Sequence, residues 1–339
     1  MMNKKLISIH LNSNNSLNFE EFIFSIIENT TNIDSIEILV SIDLGDNLMK
    51  ESIKKINHKY PNLIKYIETD LIKTFADAWR PLNLLLDETS SSVRYISCMS
   101  DDLRFKTEGW DKIILGYDNH FKDNIFRIRC SKYRNETYDD IWECGYKPDA
   151  YSFYTHSWFK IIKLWNPCIG PDSFQECVSF YMKNYGDKFN RDLVENRISF
   201  EGQEVSSGLN LRTRIQRTRI YYKAFYRLMS YKNQQIASNK AYDLVLAISD
   251  NNLEQIFVSK KIILTNFIRR FNFFLHRGSP NHAINTKVKN IIFFFWCYIS
   301  IFDVFLIKIL YFLNNKNLLQ KFIKNKEQVD KLRNIINHE

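Results

Sequence analysis

The chain has 339 residues, 45% of them hydrophobic, so it is long enough to bury a large core. Its net charge of +9 comes from residues 260–339, which carry 14 Lys and Arg against 4 Asp and Glu; nucleic-acid binding by the nearly neutral remainder is therefore disfavoured. The six scattered cysteines form no C-x-x-C pair, which excludes the common zinc-finger patterns and predicts reduced thiols in a cytoplasmic protein.

The first hundred residues alternate between strand-like and helix-like runs. The predicted strands cover 6–11, 36–42, 63–67 and 94–99. Apolar residues recur at helical spacing after the first strand, and Asn18 with Glu21 is predicted to cap that helix. Such alternation favours an α/β fold with a mainly parallel sheet and flanking helices.

Polar residues follow three of these strands. Asn12 follows the first, Asp43 the second and Ser100-Asp101-Asp102 the fourth, so a parallel sheet would bring them to one edge. Adjacent carboxylates are costly unless a divalent cation shares the site, and oxygen ligands suit Mn²⁺ or Mg²⁺. The alternative is that Asp101 and Asp102 cap the following turn and face solvent. The sequence has no phosphate-binding loop of the G-x-x-x-x-G-K type and no G-x-G-x-x-G after a strand.

The order of these features resembles a known family. The chain resembles the nucleotide-sugar half of GT-A-fold glycosyltransferases of the family-two type. The resemblance rests on a strand that ends in Asp43, a later strand that ends in Ser100-Asp101-Asp102, and the motifs Arg104-Phe105 and Gly109-Trp110-Asp111. The resemblance covers about residues 5–185 and implies a GT-A (Rossmann-like) mixed, mainly parallel sheet. It also implies that Asp43 contacts the nucleobase and that Asp101 and Asp102 hold a divalent cation on the diphosphate. Ser100 departs from the usual Asp-x-Asp pattern.

The resemblance also points to a general base. In inverting members of the family a carboxylate near the start of a helix, here predicted over 173–184, removes the proton from the acceptor hydroxyl. Asp172 and Glu176 match this position and lie four residues apart, on one helical face. An N-cap role is the alternative for Asp172. His156 is weighed as a phosphate or acceptor contact against an ordinary, partly buried histidine.

Three more residues are candidates for the donor site. Asn12 lies at a strand end, and the guanidinium groups of Arg80 and Arg104 suit phosphate and flank the inferred edge. The alternative for each arginine is a solvated or ion-paired side chain. The predicted organisation is a nucleotide-sugar-binding half over 1–130, an acceptor-binding half over 131–230, and a mostly helical, basic, membrane-associating extension over 231–339.

Two later segments carry their own signals. The run 212–227 interleaves basic and aromatic residues, which suits single-stranded nucleic acid, the cationic face of an amphipathic helix, or contact with lipid phosphates or an anionic acceptor. The run 288–313 is almost wholly apolar, but Asp303, Lys308 and basic flanks favour a helix lying in a membrane interface over a spanning one. A core or dimerisation helix is the alternative.

Together these features predict a glycosyltransferase of polysaccharide biosynthesis that uses Mn²⁺ or Mg²⁺. It would move a sugar from a nucleoside-diphosphate sugar to a glycan or lipid-linked acceptor by inverting displacement, attached peripherally or monotopically to the inner face of the membrane. Two alternatives remain. One is a non-catalytic membrane-surface assembly protein with the same fold, and the other is a nucleic-acid-binding protein that uses 212–227.

Overall fold

The computed structural model describes residues 4–71, 79–131, 133–138, 141, 144, 148–168, 170–202, 227–249, 253–256 and 258. The chain divides into two units, Met1–Leu264 and Thr265–Glu339, and every described residue belongs to the first. The apolar run 288–313 lies outside the described residues, as does the run 212–227 except for its last residue. Among the helices that the structure describes, none is long and apolar enough to cross a membrane.

Seven strands form one mixed sheet in the order β3-β2-β1-β4-β7-β6-β8, and two more form a small antiparallel pair, β5-β9. The strands are β1 (Ile7–Asn12), β2 (Ile36–Asp43), β3 (Ile64–Thr69), β4 (Tyr95–Cys98), β5 (Leu103–Phe105), β6 (Arg127–Arg129), β7 (Phe153–Thr155), β8 (Asp192–Val194) and β9 (Phe200–Gly202). Within the large sheet β7 runs antiparallel to β4 and β6, while the other pairings are parallel. The predicted α/β class with a mixed, mainly parallel sheet is confirmed.

Helices cover both faces of the sheet. They are α1 (Ser16–Asn29), α2 (Asn47–Lys59), α3 (Trp79–Asp87), α4 (Trp110–Leu115), α5 (His156–Ile162), α6 (Pro171–Lys183) and α7 (Tyr231–Ile248). One hydrophobic cluster joins the sheet to α1, α2 and α4, and a second joins it to α3, α5, α6 and α7. Because both faces are covered, Ile36 to Ile42 of β2 are buried without alternation.

The first helix shows how the sequence sets local structure. Phe19, Phe22 and Ile26 are fully buried at helical spacing, as the pattern predicts. The predicted cap is wrong, because the side chain of Asn15 accepts the N–H of Asn18 at 3.2 Å. An N-cap residue needs an extended backbone to direct its oxygen at an N–H group three residues ahead, and Asn15 has that backbone.

The Gly109-Trp110-Asp111 motif fastens α4 to the end of α1. Gly109 adopts a left-handed backbone with φ of 69°, which a side chain would strain. The Trp110 indole donates to the Thr30 hydroxyl at 3.0 Å. The buried Asp111 carboxylate accepts the N–H groups of Thr31 at 2.9 Å and of Asn32 at 3.0 Å. In this structure the motif therefore makes structural hydrogen bonds between α4 and the end of α1.

Strands β6, β7 and β8 extend the sheet that β1 to β4 begin, so residues on both sides of position 130 share one sheet. Helix α7, from the predicted extension, packs against α6, where the Tyr181 hydroxyl donates to Gln234 at 2.8 Å and Ala241 is fully buried. The predicted division into donor, acceptor and membrane segments stays a prediction.

Candidate functional site

The parallel strands β1, β2 and β4 end at one edge of the sheet, which we call the carboxyl edge. Asn12 ends β1, Asp43 ends β2, and Ser100 to Asp102 follow β4 directly. A direct contact joins two of these ends, because the Ser13 hydroxyl donates to Asp101 Oδ2 at 2.6 Å. The fold therefore gathers the strand-end residues along one edge.

Asp101 and Asp102 share a partly buried turn at this edge. The Ser13 hydroxyl donates to Asp101, and the Ser100 hydroxyl donates to Asp102. Burial raises the pKa of Asp101, and the charge of Asp102 raises it further, although the Ser13 hydrogen bond opposes the change. Two neighbouring carboxylates are thus held close to one another against their mutual repulsion.

These residues fit a hard divalent cation. The donor set is two carboxylates with a hydroxyl beside them, which matches the oxygen preference of Mn²⁺ and Mg²⁺. Among the described residues, no group of three or more His, Cys, Asp or Glu side chains forms a self-sufficient metal site. Mg²⁺ commonly keeps several waters and substrate phosphates around one or two protein carboxylates, so two are sufficient. A cation would also offset the burial and the Asp102 charge that raise the pKa of Asp101.

The two predicted phosphate-binding arginines differ in their surroundings. The Arg104 guanidinium donates to the carbonyl oxygens of Asp101 at 2.9 Å and Leu103 at 2.7 Å, and it pairs with Glu21 on α1. Arg104 therefore braces the turn that carries Asp101. Arg80 lies on α3, where its guanidinium carbon stands 5.6 Å from the centroid of the Trp79 ring.

Asn12 and Asp43 lie on neighbouring strands at this edge. Asn12 Oδ1 accepts a hydrogen bond from the Ser41 hydroxyl, which fixes the amide of Asn12 at the end of β1. The Asp43 carbonyl oxygen accepts the N–H of Asp46 at 3.1 Å, in the turn that leads to α2. Both side chains are partly exposed. They are therefore placed where a ligand at the carboxyl edge can reach them.

Asp172 lies in the first turn of α6, which begins at Pro171 after Gly170 at φ 93°. The N-cap position thus belongs to Gly170. Burial raises the pKa of Asp172 to about 6, and the charges of Glu176 and Asp149 contribute, while nearby main-chain N–H groups oppose the change. The charge of Asp172, after burial, also raises the pKa of the Cys98 thiol at the end of β4, so Asp172 lies near the carboxyl edge.

Glu176, the second predicted catalytic carboxylate, lies in a different environment. It is 1% exposed and receives two hydrogen bonds from the Arg127 guanidinium, at 2.8 and 2.7 Å. The main-chain N–H of Asp149 donates to the same carboxylate at 3.2 Å. Its oxygens are thus engaged with buried partners.

His156 lies away from the carboxyl edge. Its main-chain N–H donates to the carbonyl of Arg94 at 2.6 Å, and its Nδ1 lies 2.8 Å from the Val93 carbonyl oxygen. Both carbonyls precede β4, so His156 stands at the opposite edge of the sheet. The imidazole is therefore not placed to contact a ligand at Asp101 and Asp102.

Sequence reasoning missed Ser13 and Arg127. Ser13 directly follows Asn12 at a strand end, so its place at the edge was readable, but its bond to Asp101 joins residues 88 positions apart. Arg127 and Arg129 interrupt a strand-like run with two charges, and both are buried. Charges inside a buried strand indicate buried ion pairs, since an unpaired charge there is very costly.

No family model and no curated protein matches the sequence. Among solved structures, a Pyrobaculum calidifontis mannosyltransferase in complex with GDP-Man and Mn²⁺ matches at 12% identity and TM-score 0.49, over 86% of each chain. S. aureus TarS 1-349 in complex with UDP-GlcNAc matches at 15% identity and TM-score 0.45, over 80% of this chain and 74% of that chain. Mycobacterium tuberculosis glucosyl-3-phosphoglycerate synthase in complex with Mn²⁺, UDP and glucosyl-3-phosphoglycerate matches at 11% identity and TM-score 0.43, over 66% and 79%.

These structures are GT-A-type glycosyltransferases, the class that the sequence resembles. The identity to each of them is at most 15%, and each TM-score is below 0.5. The roles proposed below therefore rest on the contacts within this chain.

Proposed function

We propose that the protein is a glycosyltransferase that moves a sugar from a nucleoside-diphosphate sugar to an acceptor hydroxyl. The observation that carries this proposal is that two kinds of carboxylate site lie near each other at the carboxyl edge. Asp101 and Asp102 form a carboxylate pair suited to a cation, and Asp172, with a pKa of about 6, lies near the end of the same strand. Sugar transfer from a diphosphate needs both, a counter-charge for the leaving group and a base for the incoming hydroxyl.

The donor is assigned to the ends of β1, β2 and β4. Asp101 and Asp102 would hold Mn²⁺ or Mg²⁺, whose positive charge would stabilise the leaving diphosphate. Asp43 is assigned to the nucleobase, and Asn12 and Arg80 to the rest of the nucleotide. Arg104 supports donor binding through the Asp101 turn, since its guanidinium holds two carbonyls of that turn.

Asp172 is assigned as the general base of an inverting displacement. Its carboxylate takes the proton of the acceptor hydroxyl while the hydroxyl oxygen forms a bond to the anomeric carbon. The bond from that carbon to the diphosphate oxygen breaks on the opposite face, and the electron pair leaves with the nucleoside diphosphate. A base with a pKa of about 6 is mostly ionised at neutral pH, yet it still binds a proton more tightly than an ordinary aspartate does.

The acceptor class comes from the sequence outside the described residues. The apolar run 288–313 with its basic flanks favours attachment at the inner face of a membrane, where anionic lipid attracts lysine. A lipid-linked acceptor or a growing glycan at that surface would fit polysaccharide biosynthesis.

The test is to incubate the full chain with UDP-, GDP- and CDP-sugars, with Mn²⁺, Mg²⁺ or EDTA, and to follow melting temperature and product. A nucleotide at about a hundredfold its dissociation constant adds roughly 2.7 kcal/mol, which raises the melting temperature by a few degrees. We expect a metal-dependent rise for one nucleotide and a product of inverted anomeric configuration. No rise with any nucleotide contradicts the proposal, and a retained configuration contradicts the single displacement.

A further inference from the structure

Away from the carboxyl edge, the described part of the chain contains a second carboxylate cluster, whose two carboxylates are buried. The Arg127 guanidinium donates to Glu176 at 2.8 and 2.7 Å and to Asp192 at 2.6 and 2.9 Å. Ser179 Oγ and Lys183 Nζ reach Asp192 at 2.7 and 2.8 Å. The side chains of Arg127, Glu176 and Asp192 are 0%, 2% and 4% exposed. These five side chains are called the Arg127 network below.

The Arg127 network fastens helix α6 to β6 and β8, the last two strands in the order of the sheet. Arg127 begins β6 and Asp192 begins β8, and the two residues pair across these parallel strands. Glu176, Ser179 and Lys183 follow one another along one face of α6. The network therefore holds the helix over two of its turns. Asp172 lies one turn before Glu176 on the same face of the helix.

Glu176 also fixes the chain that follows β6. Its Oε2 accepts the N–H of Asp149 at 3.2 Å. The Asp149 carboxylate in turn accepts the N–H groups of Cys130 at 2.9 Å and Ser131 at 2.8 Å. Glu176 thus joins α6, β6 and the segment before β7, with both of its oxygens hydrogen-bonded.

A general base must approach the acceptor hydroxyl to about 2.6–3.2 Å. The Glu176 carboxylate is buried and its oxygens are occupied by Arg127 and Asp149, whereas Asp172 is partly exposed near the end of β4. We propose that Glu176, anchored by Arg127, is a positioning residue that holds the first turn of α6 and directs Asp172 toward the acceptor, and that it does not itself remove the acceptor proton. This inference rests on the proposed function, in which Asp172 is the base.

The charge of Glu176 has a second effect. Among the described residues, the charges of Glu176 on α6 and Asp149 in the segment before β7 act on Asp172, and Asp172 in turn acts on the Cys98 thiol of β4. Both carboxylates raise the pKa of Asp172, after the larger effect of burial. Removing the charge of Glu176 should therefore lower the pH at which Asp172 gains its proton.

The experiment compares Glu176→Gln with Asp172→Asn, with Glu176→Asp as the conservative variant. Glu28→Gln, an exposed change near the far end of α1, is the matched charge control. We expect Glu176→Gln to lose less kcat at pH 8 than the roughly 10²–10⁴-fold of a missing base. The rise of kcat with pH on the acidic side of the profile, called the acid limb below, should move to lower pH by about one unit in Glu176→Gln. Charges one helical turn apart are roughly 6 Å from each other, and a charge at that distance has an effect of this size on a pKa. Glu176→Asp should restore the limb, and Glu28→Gln should leave it in place.

Two results overturn the inference. If Glu176→Gln loses as much kcat as Asp172→Asn at every pH, Glu176 does more than position Asp172. If Glu176→Gln leaves kcat, KM and the acid limb unchanged, the network has no part in positioning.

A readout without turnover separates this inference from the proposed function. The carboxyl carbon of Asp172 is titrated by NMR in full-length protein with ¹³C-labelled aspartate, and Asp172→Asn identifies its signal. A lower midpoint in Glu176→Gln supports the coupling even where no sugar is transferred, in which case only the proposed function fails. An unchanged midpoint overturns the coupling even where transfer is observed.

Discussion

The two carboxylate clusters of this molecule are built in opposite ways. At the carboxyl edge, burial and the neighbouring charge of Asp102 raise the pKa of Asp101, although the Ser13 hydroxyl and the Arg104 charge offset part of this change. In the Arg127 network, burial by itself would raise the pKa of Asp192, but the charges of Arg127 and Lys183 hold it well below its usual range. One cluster keeps its negative charge at a cost, and the other has that charge neutralised by the protein.

The difference separates carboxylates whose charge the protein neutralises from carboxylates that we propose to bind a ligand. A buried ion pair with all its hydrogen bonds made is at best neutral for stability, but it fixes geometry, and breaking it is costly. A carboxylate pair without such compensation is typical of functional sites, since a bound cation then supplies the missing charge. Asp172 belongs to the second kind, because burial and like charges raise its pKa to about 6.

The largest expected effect comes from breaking the compensated cluster. Arg127→Met leaves Glu176 and Asp192 buried without their shared counter-charge, and we expect the free energy of unfolding to fall by about 3–5 kcal/mol. Denaturant unfolding followed by circular dichroism measures it. Lys106→Met, which breaks an exposed pair with Glu201, is the control and should leave the unfolding midpoint nearly unchanged. An equal, small effect for both variants would remove the distinction between the clusters.

The next effect tests Asp172. Asp172→Asn removes the proposed base, and kcat should fall by roughly 10²–10⁴-fold with the fold intact. In wild-type protein kcat should rise with pH through about 6, where the Asp172 carboxylate becomes ionised. Steady-state kinetics from pH 5 to 8 tests both; a flat profile together with an active variant would remove Asp172 from the reaction.

Asp172 also has a stability signature of known sign. Its folded pKa of about 6 is above the ordinary value of 3.8 for aspartate, so the folded state binds the proton more tightly than the unfolded state does. The contribution of Asp172 to wild-type stability should therefore decrease as pH rises from 3.8 toward about 6, and Asp172→Asn should lack this contribution. Urea unfolding at several pH values measures it, and an identical pH dependence in both proteins would argue against a raised pKa.

Asp101→Asn and Asp102→Asn test the proposed cation site at the carboxyl edge. Each should abolish the metal-dependent part of nucleotide stabilisation, whose total is roughly 2.7 kcal/mol at a hundredfold the dissociation constant. Without metal, Asp101→Asn should melt no lower than wild type, because the charge it removes is held at a cost. Thermal melting with Mn²⁺ and with EDTA reads both quantities. Full metal dependence in both variants would place the cation elsewhere.

The smallest effect concerns the hydroxyl beside the pair. Ser13→Ala removes the 2.6 Å hydrogen bond that opposes the raised pKa of Asp101. Outer groups that orient metal ligands typically contribute about 10–100-fold in metal affinity, and we expect the low end of that range for Ser13. Calorimetric titration with Mn²⁺ and nucleotide measures it. Ser92→Ala, whose hydroxyl donates to the Lys5 carbonyl before β1, is the control.

The sequence by itself determined the alternating strands and helices of about the first hundred residues and the order of their polar ends. The helical spacing of Phe19, Phe22 and Ile26 was enough to predict α1, and the continuous apolar run was enough to predict β2. Both predictions depend only on the spacing of apolar residues a few positions apart in the chain. The strand-end positions of Asp43 and Asp101 followed from the same local pattern.

Only the tertiary structure decided which carboxylates are compensated. Asp172 and Glu176 are equivalent in sequence, four residues apart on one helix, yet Glu176 is paired with Arg127, 49 positions away, and Asp172 is not placed in that pair. Likewise Arg104 meets Glu21, 83 positions away, and His156 comes to the edge opposite Asp101 because β7 runs antiparallel. Charge pairing depends on distances of a few ångströms between residues far apart in the chain, and the fold alone sets those distances.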